Sequence, residues 1–194
     1  MALGTAFSAA TTISGTLGFH DIVFNSAGIS ATQAIADAGG NLTVCLMGYH
    51  LDYSNNAPVQ DGDYTQMRVY YVEYGGGSMP TLLIEKVGGG VGTVYPESSG
   101  SDDDVSIVNG TSDGSVSWDT MRGDVDTVGT YYNQDSSVNY SGIYTRKNSG
   151  RGSDVITAIA RSYFVFDLSA GYADTVAVKM NLRLGNTGTT TGDF

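Results

Sequence analysis

The chain has 194 residues with 20 acidic and 9 basic side chains, giving a formal charge of −11; it has one cysteine and two histidines. A lone cysteine excludes an intramolecular disulfide, and the acidic balance argues against direct binding to nucleic-acid phosphate or to anionic membranes. With 41% hydrophobic and only 15% charged residues, 27 glycines and 13 tyrosines, the composition fits neither a charged disordered polymer nor a Lys/Glu-rich helical bundle. It favours short strands and tight turns, and the length suits one sizeable core or two small ones.

The N-terminal Met1-Ala-Leu-Gly-Thr-Ala-Phe7 has no basic region and no long apolar run, so it does not read as a secretory signal. No segment approaches the ~18 apolar residues that cross a bilayer. The chain therefore reads as a protein made and used in a cytoplasm, as virion proteins are, or as a mature fragment.

The first expected strand is the short Asp21-Ile-Val-Phe24. Ala31-Thr-Gln-Ala-Ile-Ala-Asp-Ala38 is the one expected helix, with Ser30 as its cap and Gly39 as its end. A longer strand is expected from Leu42 to Leu51. Cys45 sits inside it, in an apolar run, and reads as a small buried hydrophobe. His50 and Asp52 are two apart at its end, a spacing that lets them share a face as a hydrogen-bonded surface pair. Two ligands fall short of a zinc site.

Met67 to Tyr74 and Thr81 to Val87 read as a strand pair across Gly75-Gly-Gly-Ser-Met-Pro80, with Pro80 marking a strand start. Tyr70 and Tyr71 point to opposite faces there. One of them is expected at a subunit interface or against a sugar, and Trp118 is the other candidate binding aromatic.

Gly88 to Gly114 has linker chemistry, rich in Gly, Ser and Asp and broken only by Val105-Ser-Ile-Val108. It separates residues 1–87 from residues 115–194. Asp102, Asp103 and Asp104 lie within it and are the candidate ligands for calcium, which wants six to eight oxygens on flexible loops. Their spacing is not that of an EF-hand, and Asp also favours turns for its own backbone hydrogen bonds. No other cofactor is implied.

Val155 to Leu168 is apolar on both faces and reads as a central strand with a bend near Arg161. Ser169 to Asp174 connects it to Val176-Ala-Val-Lys-Met-Asn-Leu-Arg-Leu184. That strand alternates strictly, with Val176, Val178, Met180, Leu182 and Leu184 on one face. The run from Gly185 to Phe194 again has linker chemistry.

No catalytic signature stands out. There is no Gly-x-Ser-x-Gly elbow and no His-Glu-x-x-His. Gly88-Gly-Gly-Val-Gly92 lacks the Gly-Lys-Ser/Thr ending of a phosphate loop. The chain is expected not to be an enzyme.

Arg161-Ser-Tyr-Phe-Val-Phe-Asp-Leu-Ser169 followed by Thr175 to Leu184 resembles the DNRLRE-like jelly-roll modules. Such modules occur in carbohydrate-binding and cell-surface proteins, and similar segments occur in virion proteins of tailed phages. The resemblance covers roughly residues 119–184. Leu42 to Tyr53, Arg68 to Tyr74 and Pro80 to Glu85 resemble the closing strands of the same module, so the closing half comes first in this chain.

The resemblance implies an all-β, jelly-roll-type antiparallel β-sandwich with its halves in permuted order. Residues 1–87 would form the closing half and 115–194 the opening half. Either the halves fold onto each other, or each is completed by strands of a neighbouring subunit. Effective concentration favours closure within the chain. The function expected is that of a structural, self-assembling phage virion protein, such as a capsid decoration, head fibre or tail component. Its partners would be other copies of itself and other virion proteins. The alternatives are a glycan-binding adhesive module and a subunit of an extracellular filament.

Overall fold

The structure, a computed structural model, describes residues 5–13, 18–57, 64–70, 79–96, 104–111, 117–123, 131–133, 140–149, 155–172, 174–184 and 192–193. Its strands are β1 (Thr12–Ile13), β2 (Gly18–Val23), β3 (Asn41–Leu46), β4 (Tyr64–Tyr70), β5 (Thr81–Lys86), β6 (Val91–Val94), β7 (Asp104–Thr111), β8 (Tyr131–Asn133), β9 (Tyr140–Ser149), β10 (Val155–Asp167), β11 (Thr175–Leu184) and β12 (Gly192–Asp193). Helix α1 spans Ser26–Ala38 and α2 spans Trp118–Gly123, with a π-turn at Tyr49–Tyr53. Every pairing between these strands is antiparallel. The protein is all-β, an antiparallel sandwich.

The two long strands organise it. β7 takes one edge of β10, along Thr157–Phe164. β9 and then β3 follow one another along the opposite edge, at Val155–Ala160 and Ser162–Asp167. β11 is likewise flanked by β5 on one edge and β2 on the other. This gives one layer of β2, β11, β5 and β6, and another of β3, β10, β7 and β8. β4 and β9 pair with each other and join the layers.

Period-two alternation supplies the core between them. Val178, Met180, Leu182 and Leu184 of β11 cluster with Phe164 and Phe166 of β10 and with Leu168 just after it, with Leu82 and Ile84 of β5 and Leu42, Val44 and Leu46 of β3. Burying each such side chain stabilises the fold by about 1.5–3 kcal/mol. Strands on both sides of the 88–114 segment thus pair within one chain: β3 with β10, and β2 and β5 with β11.

Several expectations change. The segment 88–114 is not only a linker, because it holds β6 and β7. β7 pairs along eight positions of β10, so its Val-Ser-Ile-Val core outweighs the flanking Gly and Asp. The expected strand Leu42–Leu51 ends at Leu46, and the chain then winds into the π-turn. α1 begins at Ser26, with Asn25 rather than Ser30 as its cap; the Asn25 side chain accepts from the Gly28 amide at 3.0 Å. Gly39 does end the helix, in the left-handed conformation (φ 66°) that glycine adopts at least cost. Val176 is 47% exposed, because β11 enters the core only from Val178 onward.

Gly28 sits mid-helix for a packing reason. A side chain there would meet the Phe7 carbonyl oxygen at 2.7 Å and Phe7 Cβ at 2.9 Å. The N-terminal segment lies against α1 at this point. The Asn25 amide donates to the Phe7 carbonyl at 2.6 Å, the Asn25 side-chain amide donates to the Ala6 carbonyl at 2.9 Å, and Ser8 bridges to Phe24. Phe7 packs on Phe24 with ring centroids 5.8 Å apart.

Candidate functional site

The outer face of β10 carries the densest polar constellation among the described residues. Arg161 is buried there and donates from Nε and Nη2 to the two oxygens of Asp52, each at 2.7 Å. Asp52 is fully buried in the π-turn. Arg122, from α2, donates to the backbone carbonyls of Asp52 at 2.5 Å and Tyr53 at 3.1 Å. Arg161 also donates to the Arg122 carbonyl at 3.1 Å. One carboxylate and two guanidiniums thus lock the π-turn, α2 and β10 together. Burial works against the Arg161 charge, but the Asp52 hydrogen bonds and charge outweigh it and hold the guanidinium protonated beyond its ordinary range.

His50 and Asp52 therefore do not form the expected surface pair. Winding the backbone into a π-turn sends Leu51 and Asp52 inward and leaves His50, Tyr49 and Tyr53 at the surface. The Tyr49 and Tyr53 rings stack with centroids 5.5 Å apart and planes 18° apart. They are 40% and 36% exposed. The turn is extended by Asn55, at φ 57°, whose side-chain oxygen accepts from the Trp118 indole at 3.0 Å. Trp118 thus begins α2 half-buried, holding the turn. Ser117 caps that helix, its hydroxyl accepting from the Thr120 amide.

The stacked tyrosines are part of the lining of a groove of about 530 Å³. Its floor includes Ile22, Phe24 and Met180, and the N-terminal segment Thr5 to Ala10 forms a wall. Thr43 through Met47 form the other wall. Side chains of both faces of β3 line it, so the groove runs along an edge of that strand. No charged side chain is among its described lining residues.

Cys45, a free thiol, is half-buried beside this groove and opposite Tyr163 of β10. Burial, partly offset by a hydrogen bond from Tyr163, pushes its thiol up to about 11. Burial and the neighbouring thiol push the Tyr163 phenol up to about 12. The thiol is thus protonated at neutral pH and a poor nucleophile.

The other candidate residues fall elsewhere. Tyr70 ends β4, where its backbone pairs with Tyr140; Tyr71 lies outside the described residues. Asp104 opens β7, whereas Asp102 and Asp103 lie outside the described residues. Among the described residues no three His, Cys, Asp or Glu side chains gather as a metal site, and no helix is long and apolar enough to cross a membrane. Sequence reading missed the Asp52–Arg161 pair and the Tyr49–Tyr53 stack. An arginine inside an otherwise apolar strand was the one available signal, since it demands a buried acidic partner.

No protein-family model, curated protein or solved structure matches the chain. The class that the architecture defines is an antiparallel all-β sandwich.

Proposed function

We propose that the chain is a non-enzymatic structural protein that assembles with further copies of itself and with other proteins of a phage virion, as a capsid decoration, head fibre or tail component. The observation that carries the assembly reading is the outer face of the β2, β11, β5 and β6 layer. Val23 and Val91 are each 65% exposed there, on either side of Leu83 and Ala177. Cross-strand register puts Val23 and Leu83 beside Lys179, and Ala177 and Val91 beside Glu85. An exposed apolar cluster that spans strands and is rimmed by charge is the layout of an interaction surface. Lys179 and Arg183 balance Asp21 and Glu85 on this face, so two copies can meet there without the repulsion that the net charge of −11 brings elsewhere. The virion setting rests on the resemblance of β10 and β11 to segments of phage virion proteins. The test is the solution mass of the chain against that of a Val23→Asp/Val91→Asp variant. A lower mass in the variant supports the reading, and an unchanged assembly removes this face from it.

The stacked Tyr49–Tyr53 pair favours the second reading, a glycan-binding module. Exposed aromatic rings beside a groove suit the apolar face of a sugar. Titration of soluble oligosaccharides, followed by tyrosine fluorescence, tests it; binding that survives Tyr49→Ala and Tyr53→Ala counts against it.

A further inference from the structure

We propose that the outer edge of β6 pairs with β6 of a second copy of this chain, joining two β2, β11, β5 and β6 layers into one sheet. The inference rests on the assembly reading above and adds a second contact to it. β6 ends its layer, and among the described residues β5 is the one strand it pairs with. Lys86 donates to the Gly90 carbonyl at 2.8 Å, so the bonded positions of this hairpin recur at Gly92 and Val94, opposite Ile84 and Leu82. The amides and carbonyls of Val91 and Thr93 therefore point away from β5. A row of backbone groups of this kind is a template for another strand.

Charge, symmetry and rigidity select a second β6 as the partner. Val87 to Pro96 holds no acidic or basic residue, so two copies meet here without the repulsion that the net charge of −11 brings elsewhere. β2, at the other end of the layer, carries Asp21, and its continuation at Phe24 is already bridged by Ser8. β6 is also self-complementary. With a two-fold axis at Gly92, Val91 of each copy lies opposite Thr93 of the other, giving about four backbone hydrogen bonds and facing β-branched side chains. The strand is held in place before it pairs. The Tyr172 ring covers Gly92, where a side chain would clash with it, and Pro96 bridges to Phe166 of β10. An edge held in this way gives up little freedom on binding. The two-fold contact closes at two copies rather than growing into a fibre. It also sets the Val23, Leu83, Ala177 and Val91 patches of both copies on one side of the joined sheet, which enlarges the apolar face of the assembly reading.

The test is amide hydrogen exchange of the unmodified chain, assembled and diluted to monomer, together with the solution masses of Thr93→Pro and Thr93→Val. Proline at this position removes an amide that β5 does not use, which an edge strand tolerates, whereas valine keeps that amide. The edge contact predicts that the Val91 and Thr93 amides exchange about tenfold or more slowly in the assembly. It also predicts that Thr93→Pro lowers the mass while Thr93→Val does not. An assembly that persists in Thr93→Pro, with both amides unprotected, overturns the edge contact and leaves the assembly reading standing. Equal loss of mass in both variants also overturns it. A chain that stays monomeric at every concentration overturns both readings. The exchange measurement needs no substitution, so it decides even where Thr93→Pro unfolds the protein.

Discussion

Arg161 and Asp52 meet through two hydrogen bonds of 2.7 Å although 109 positions separate them in the chain. Both are buried, so each is the other's compensation for leaving water. Their pairing fixes the π-turn over β10, and with it the Tyr49–Tyr53 stack that lines the groove. A buried ion pair adds little net stability over well-packed apolar residues. Its consequence here is geometric, since a surface element is held in one position.

Removing one partner strands the other. Arg161→Met is expected to destabilise the fold by about 3–5 kcal/mol, because Asp52 is left buried without its cation. Asp52→Asn keeps a hydrogen-bond acceptor but likewise leaves a buried charge. Urea midpoints of the single and double variants measure this, with the double variant expected to cost less than the sum.

The N-terminal segment should be sensitive to Gly28. Gly28→Ala puts a methyl group 2.7 Å from the Phe7 carbonyl oxygen. Overpacking of this kind costs about 1–3 kcal/mol, which outweighs the roughly 1 kcal/mol of helix propensity gained. Limited proteolysis should then cut within Thr5 to Ala10 faster than in the unmodified chain.

Alkaline pH should weaken the fold. The folded Cys45 thiol is raised to about 11 from its ordinary 9.0, so the native state holds this proton more tightly than the unfolded chain. Its contribution is fully present below pH 9.0 and is lost as the pH rises toward 11. Tyr163, raised from 10.0 to about 12, extends the loss upward. Cys45→Ala should flatten the decline between these two limits by about 1–2 kcal/mol in urea titrations.

Acid should have a small effect through Asp21. Hydrogen bonds from Lys179 and Asn181, at 2.7 and 2.6 Å, hold its carboxyl below 3.8. The stabilisation is present above that value and is lost as the pH falls through the lower folded value. The pair is exposed, so Lys179→Met should cost only about 0.2–1 kcal/mol, and less at high salt.

What was legible in the sequence follows from what each residue's neighbours in the chain can specify. The alternation of Val178, Met180, Leu182 and Leu184 marks β11 without reference to the rest of the fold. The two apolar faces of β10 mark it as central, and its outer face is indeed covered near Ile159 and Arg161. Gly39 marks the end of α1 because only local conformation is at issue. The start of α1 was hidden by Gly28, which weakens the helical pattern for the sake of Phe7, twenty-one positions away. Asp52 looked like a surface residue because its partner is distant in sequence. β7 was obscured by Gly and Asp residues whose cost is outweighed only once β10 lies beside it.

The central claim is that this sandwich assembles, and the most direct test is the mass of the purified, untagged chain by light scattering across a concentration series. The account predicts a mass several times the 20.3 kDa of one chain, falling on dilution. A mass of 20.3 kDa at every concentration would contradict it.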